Sequence, residues 1–438
     1  MMPRSFSTSN LMNTNITFGT VLLVVFGFSF MMPDMFATSL TYQAGNLALV
    51  ATVIYLLTWR YKPSRVAICS IAFYLFLVTV SALHSSPSFG LSFVVSRGRT
   101  VVFVCLVDLM LRRDKRSTLG LLLFMLSLAV FADFISLVLF PDGLTFGVDT
   151  TDGVGYEHYY SEWVLGNKNN RMYWYMALVT VAYWRHRLSP SFFSRFGLVA
   201  LCVVSLMGAA ISKSSTSIVA LSIMSCGVLM GIWPELLPLP RVNGYVLAGV
   251  YLAFAVAMIV GNIGFLGDFV QQAFGKDLTF TGRADVWTKA LALIARRPLS
   301  GWGYYDPHSA SILYGRWDFA NAHNQILESL VEGGLLFLLI SSAPIFCILH
   351  SSRKCRSSRA GNFTTLAILA LLVDMLLEQI LGMKIVWVLL LLFDSMLIDD
   401  ELRAEEAIET APDLPLRRPV SPLRNGHMAL GGSDADWK

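Results

Sequence analysis

Long apolar stretches alternate with short polar connections along almost the whole chain. Runs of roughly 17 to 25 apolar residues, the length that crosses a bilayer as a helix, predict about twelve spans. They lie at residues 16–32, 43–59, 66–83, 94–111, 118–140, 171–186, 196–212, 215–233, 244–265, 325–349, 361–379 and 382–398. Backbone inside hydrocarbon must satisfy its hydrogen bonds within the segment, so each run predicts a helix. Arg97 and Arg99 intrude on the fourth run.

The charges between runs give the direction of crossing. Short cytoplasmic connections collect Lys and Arg, and clusters fall in the second connection (Arg60, Lys62, Arg65), the fourth (Arg112, Arg113, Lys115, Arg116), the sixth (Arg185, Arg187, Arg195) and the tenth (Arg353, Lys354, Arg356, Arg359). Even-numbered connections are therefore expected to be cytoplasmic, with both termini inside. The chain divides into nine helices with an outer loop at 141–170 (residues 1–265), a long outer loop at 266–324, three helices over 325–398, and a tail. Residues 399–438 mix charge with Pro and Gly without periodicity, which predicts a largely disordered cytoplasmic tail. Within the second outer loop, Val286, Trp287, Ala290, Leu293 and Ile294 recur at helical spacing between Thr281-Gly282 and Pro298. That pattern predicts an amphipathic helix lying near the outer membrane surface.

Composition agrees. Of 438 residues, 55% are hydrophobic and 14% charged, against about 25% charged in an ordinary soluble domain. The fold class is an all-α polytopic membrane protein with a large, partly helical outer loop. A soluble enzyme, a disordered scaffold and a nucleic-acid binder, for which the net charge of +4 is also too small, are excluded because only a bilayer covers this much apolar surface. The six cysteines are scattered singly and fit neither a disulfide framework nor a metal-ligand spacing, and no metal or cofactor is expected.

Basic and amide groups gather on the expected outer side, where the topology rule disfavours cations: Lys168, Asn169 and Arg171 before the sixth span, Lys213 in a tight turn, Arg283, and His323-Asn324 before the tenth. A shared reason would be an anionic ligand. Arg283 opens a helix whose free amides and dipole favour an anion, and its guanidinium can hold phosphate in a fork; pairing with Asp285 or with lipid headgroups is the plainer reading. Asn324 is a favoured N-cap residue. His323, near several cations, is a candidate for a neutral imidazole that takes a proton from a hydroxyl. Glu328 and Glu332 follow on the Asn324 face, and carboxylates inside a span are functional candidates or buried ion-pair members. Asp374, Glu378 and Lys384 read as a structural ion set. Trp287, Trp302, Tyr304 and Tyr305 fit interface anchoring better than sugar stacking.

Several of these stretches resemble one family. Thr281-Gly282-Arg283-Ala284-Asp285-Val286-Trp287, then Arg297-Pro298-Leu299-Ser300-Gly301-Trp302-Gly303, then His323-Asn324 and Glu332-Gly333, resemble the large outer loop of the O-antigen ligase and polymerase superfamily, most closely its exopolysaccharide polymerase branch. Gly166-Asn167-Lys168-Asn169 is similar to the family's Gly-x-His-Lys-Asn, with Asn167 in place of its histidine, and Ser212-Lys213-Ser214-Ser215-Thr216 to its Ser-Lys-Ser-Arg-Thr turn, with Ser215 in place of its arginine. The resemblance implies an inverting, metal-independent, glycosyltransferase-like enzyme of bacterial inner membranes, active on the periplasmic side. It implies His323 and Arg283 as catalytic residues, and Lys168, Asn169, Lys213, Asn324 and Glu332 as substrate-binding ones. The implied partners are a polyprenyl-pyrophosphate-linked oligosaccharide donor, a glycan acceptor, the lipid bilayer and export or chain-length regulator proteins. Three functions stay open: a polymerase of lipid-linked repeat units, a ligase passing the glycan to a lipid A core or other acceptor, and a transporter or flippase without catalysis.

Overall fold

The computed structural model describes residues 17–32, 38–149, 158–233, 241–261, 283–315, 321–355 and 358–409. In chain order these form α1 (Phe18–Met31), α2 (Ser39–Thr58), α3 (Arg65–Leu83), α4 (Leu91–Arg113), α5 (Lys115–Leu139), strands β1 (Thr145–Asp149), β2 (His158–Trp163) and β3 (Gly166–Asn167), α6 (Met172–Leu188), α7 (Phe192–Ile211), α8 (Ser215–Ile232), α9 (Gly244–Gly261), α10 (Arg283–Arg296), α11 (Pro307–Tyr314), α12 (Gln325–Lys354), α13 (Ser358–Met375) and α14 (Lys384–Glu409). Each apolar run predicted from the sequence overlaps a helix. Local signals start several of them: the side chains of Ser64, Asp114 and Ser214 each accept from a backbone amide in the first turn, and Ser191 closes a capping box with Ser194.

Six of these helices, α2, α3, α5, α7, α8 and α12, are long and apolar enough to cross a membrane. The expected count of about twelve is therefore not reached by length and composition. The remaining helices depart for visible reasons. α1 and α9 are apolar but shorter, and α4 carries Arg97, Arg99 and Asp108. α14 is enclosed by protein: Val386 through Phe393 have no exposed surface, and the helix packs against α3, α4, α6, α12 and α13. The main core lies around α14 and the adjoining faces of α4, α6, α8 and α13, while exposed Val50, Leu57, Phe124, Phe131 and Val250 leave apolar surface on the outside, as a bilayer requires.

Four details differ from the sequence reading. The last helix continues to Glu409, so residues 399–409 are helical rather than tail, because Asp399 and Asp400 are held by Lys115, Arg187 and Arg403; residues 410–438 lie outside the described residues. The connection 141–170 contains a small antiparallel sheet, order β1-β2-β3, with Thr145 opposite Glu162 and Trp163 opposite Gly166. The apolar face of α10 does not lie on lipid. Val286, Trp287, Ala290 and Leu293 are buried in a second core with Ala255 and Met258 of α9, Ala310 and Tyr314 of α11, and Leu327 and Val331 of α12.

The fourth difference is a break in α12 at Gly334 (φ 65°, ψ −161°). The Arg297–Gly303 segment fills the break. Trp302 and Gly303 donate their amides to the carbonyls of Val331 and Glu332 (2.8 Å each), and Leu335 donates to the Pro298 carbonyl (2.8 Å). Backbone approaches backbone so closely that a Cβ on Gly301 or Gly334, both at positive φ, would collide with Glu332 or Leu299. The glycines of this motif therefore serve packing and turn geometry. α12 becomes a short buried half-helix, carrying Glu328 and Glu332, followed by a longer apolar one.

Candidate functional site

Four chain segments meet at one end of the helices. The first is the turn Asn321–Asn324 before α12. Asn324 accepts from the amides of Ile326 and Leu327 (3.0 Å each), the predicted N-cap, and donates to the Leu376 carbonyl (3.0 Å). Its neighbour His323 takes a left-handed backbone conformation (φ 44°), unusual for a residue with a Cβ and found where surrounding structure enforces it, often at functional sites. Two contacts enforce it here: Asn321 Oδ1 accepts from the His323 amide (2.7 Å), and Glu328 accepts from the Ala322 amide (2.6 Å). Glu328 also accepts from the Tyr314 hydroxyl (3.1 Å), which burial and the Glu328 carboxylate hold protonated far above its usual range. Glu328, considered from sequence either as an ion-pair member or a functional group, is a brace for the His323 turn.

The second segment is the exit from α13. His323 Nδ1 faces Glu378 Oε2 at 3.4 Å, and the other oxygen of Glu378 accepts from Asn169 Nδ2 (2.8 Å). Asn169 belongs to the third segment, the turn that β3 delivers to α6, where Asn167 Oδ1 accepts from the amides of Asn169 (3.1 Å) and Asn170 (3.0 Å). Asn169 Oδ1 in turn accepts from the Ser214 hydroxyl (2.8 Å) in the turn between α7 and α8, the fourth segment. The result is a continuous polar chain His323–Glu378–Asn169–Ser214. Lys213 sits exposed in that last turn, also at positive φ (55°), and Lys168 is exposed beside Asn169.

Glu332, buried in the half-helix of α12, accepts from Gln379 Nε2 (3.5 Å), the residue after Glu378. Asn169, Lys213, His323, Asn324 and Glu332 are thus gathered with Lys168 around one site. Arg283 stands at the start of α10, with its side chain and the preceding Thr281-Gly282 outside the described residues. Arg171, grouped with the outer cations from sequence, has a structural duty: it is buried, pairs with Asp133 (3.4 Å) and donates to the Gly208 carbonyl (3.0 Å), while Tyr175 also donates to Asp133 (2.9 Å).

Glu378 is the residue the sequence reading misplaced. The sequence groups it with Asp374 and Lys384 as a structural ion set inside a run reaching residue 379, but α13 ends at Met375. Past that point the two carboxylates diverge: the Tyr173 hydroxyl donates to Asp374, whereas Glu378 serves His323 and Asn169. The available signal was the polar pair Glu378-Gln379 breaking an apolar run shortly before Gly382. Three of the aromatics also make contacts inside the protein. Trp287 Nε1 donates to the Ala322 carbonyl (2.9 Å), Trp302 Nε1 to the Leu293 carbonyl (3.0 Å), and Tyr304 stacks on Phe93 (4.9 Å between centroids), so these three brace the segments around the site.

Chemically, the arrangement offers an imidazole whose Nδ1 faces a carboxylate, with amides and lysines at its rim. Among the described residues no group of three histidine, cysteine, aspartate or glutamate side chains converges as metal ligands.

Residues 200–341 match the family model described as O-Antigen ligase. The match bears out the resemblance to the O-antigen ligase and polymerase superfamily, and supports an enzyme in general terms. It includes Lys213, Arg283, His323, Asn324 and Glu332, while Asn169 and Glu378 reach the same site from outside it. No curated protein matches the chain.

Proposed function

We propose that the protein is an enzyme of polysaccharide assembly that transfers a lipid-linked oligosaccharide, with inversion, to a glycan acceptor at the periplasmic face of a bacterial inner membrane. The observation that carries this reading is His323, itself within the segment that matches the O-antigen ligase family, held against Glu378 at the junction of four segments. The Thr281-Gly282-Arg283-Ala284-Asp285 form favours polymerisation of lipid-linked repeat units over ligation to a lipid A core or other acceptor.

In this mechanism His323 Nε2 removes the proton from an acceptor sugar hydroxyl. The freed oxygen attacks the donor's anomeric carbon from the face opposite the leaving group, and the bond between that carbon and the pyrophosphate oxygen breaks. The polyprenyl pyrophosphate leaves with the bonding electron pair. Glu378 fixes the imidazole and stabilises it once protonated, as a carboxylate behind a general base does. Arg283, Lys168 and Lys213 supply positive charge where the leaving group develops negative charge. Asn169, Asn324 and Glu332 shape the acceptor side.

The direct test is reconstitution. Full-length protein in vesicles, given polyprenyl-pyrophosphate-linked oligosaccharide as the only substrate, should form elongated lipid-linked product by gel and mass analysis. Transfer only to a separate acceptor would move the assignment to ligase. Movement of the glycolipid across the membrane without any new glycosidic bond would replace the enzyme by a transporter.

A further inference from the structure

A cavity of about 560 Å³ opens beside this site between the end of α1, the start of α2, the outer third of α4, β2–β3 and the start of α14, within the size range of ligand pockets. None of its lining residues falls in the segment matched to the family. It is lined by three cations, Arg97, Arg99 and Lys384, and one carboxylate, Glu162.

The guanidiniums are held in place mainly by rings and neutral acceptors, with the buried Glu332 carboxylate also within electrostatic reach of Arg97. Arg97 lies over the rings of Phe93 (5.1 Å) and Tyr304 (4.7 Å). Arg99 lies over Tyr42 (4.2 Å) and donates to the Tyr42 carbonyl (3.1 Å) and to Asn46. Among the described residues, the Nε atoms of both are buried without a hydrogen-bond partner. Lys384 lies 5.4 Å from the Phe30 ring. Charge in a helix of this hydropathy is costly unless something answers it. Two preorganised guanidiniums and an ammonium suit a multiply charged oxyanion, since each guanidinium can present parallel donors.

The opposite wall is apolar. Phe26, Phe30, Met31 and Met32 form it, and the flanks of α1 and α2 beyond it expose Val21, Val25, Leu47 and Val50. A headgroup held by the cations could therefore leave its hydrocarbon chain against surface suited to lipid. The cavity adjoins the site already described through residues next to it in the chain. Asn170 follows Asn169, and a Cβ at Gly382 would lie 3.6 Å from Gln379 Nε2.

We infer that this cavity binds a phosphate or pyrophosphate headgroup through Arg97, Arg99 and Lys384, placing it beside the His323–Glu378 cluster. The glycosyl-transfer reading guides only the choice of polyprenyl pyrophosphate as one probe. The other sources of the same chemistry are an anionic phospholipid and the free anion.

The test is equilibrium binding to the full-length protein in neutral phosphatidylcholine nanodiscs, with three probes in turn: a short-chain polyprenyl pyrophosphate, phosphatidylglycerol and inorganic pyrophosphate. The double substitution Arg99→Gln with Lys384→Gln should weaken binding of the recognised probe by about tenfold or more, the loss expected when charge-assisted hydrogen bonds are removed. Arg99→Lys with Lys384→Arg, which keeps both charges, should recover most of it, and thermal unfolding of each variant checks folding. Charge-dependent binding of any of the three supports the inference and names the source. Binding equal in wild type and a folded double variant, or no binding of any probe, overturns it. His323→Ala should bind as wild type. If wild type forms no glycosidic product yet binds through Arg99 and Lys384, the enzymatic reading fails and the cavity assignment stands.

Discussion

The two ends of the helix bundle handle charge in opposite ways. At the end where α3 and α5 begin and α14 finishes, cations meet carboxylates: Arg65 with Asp394 (2.6 Å), Arg112 with Asp108 (2.9 Å), Lys115 with Asp399, Arg187 with Asp400, and Arg403 with Asp399 (3.3 Å). Arg65, Arg112, Lys115 and Arg187 come from three of the clusters that the sequence assigns to the cytoplasm. At the other end, Arg171 with Asp133 is buried structure, but Arg97 and Arg99 make no close ion pair among the described residues. Glu378 there faces a histidine and an amide. Paired charges fix where α14 lies; the connection leading into its opposite terminus presents Glu378 and Gln379 to the site, and Lys384 at that terminus lines the cavity beside it. Charge that is answered inside the protein builds the frame, and charge left facing a cavity is available to a ligand.

The largest expected effect lies at His323. A general base contributes about a hundredfold to ten-thousandfold, so His323→Ala should lower product formation by at least about a hundredfold while donor binding changes little. His323→Asn, whose side chain tolerates the left-handed backbone, should fold at least as well and be equally inactive. Near-normal turnover in either variant would remove His323 from the chemistry.

Next is Glu378→Gln, which keeps an acceptor for Asn169 but removes the charge behind the imidazole. Losing a hydrogen bond to a charged group costs about 1.5–3 kcal/mol, or roughly tenfold to a hundredfold in rate, and the loss should appear in kcat rather than KM. Wild-type kcat would show that Glu378 is only a structural partner of Asn169.

These two residues also show what a sequence can disclose. Asn324 was legible as an N-cap because its partners, Ile326 and Leu327, are two and three residues away. The α10 stripe was legible because helical periodicity is local, but its partner was not: the same pattern fits lipid or protein, and α9, α11 and α12 supply protein. Glu378 meets His323 across 55 positions and Asn169 across 209, contacts that no local pattern encodes. Arg97 and Arg99 were visible only as interruptions of an apolar run, and their meaning came from Tyr42, Phe93 and Tyr304 closing around them.

At the paired end, effects should fall on stability. Arg65→Met leaves the buried Asp394 carboxylate without its guanidinium. Breaking a fully buried pair costs about 3–5 kcal/mol, but the Arg65 side chain is 39% exposed, so about 1–2 kcal/mol is expected after solvent screening. The readout is a lower Tm, with activity per folded molecule unchanged. A normal Tm with impaired turnover would mean that the two ends do not divide frame from function.

The smallest effect tests how the frame reaches the site through the break in α12. Arg297 Nη1 donates to His84 Nδ1 (2.8 Å), which requires that nitrogen to be unprotonated, and burial together with the Arg297 charge lowers the His84 pKa below its ordinary value. A histidine whose pKa is lower in the folded than in the unfolded chain contributes stability above the unfolded value, about 6.5, and loses that contribution as pH falls through the folded value. Protonated His84 would repel Arg297 at the head of the segment whose backbone closes on Val331, Glu332 and Leu335. Wild type should therefore lose more Tm between about pH 7 and about pH 5 than His84→Gln, whose amide oxygen can accept from Arg297 but cannot be protonated in that range. Activity is the wrong readout, since His323 takes up a proton in the proposed reaction itself. Identical pH dependence of Tm in the two proteins would detach His84 from the break.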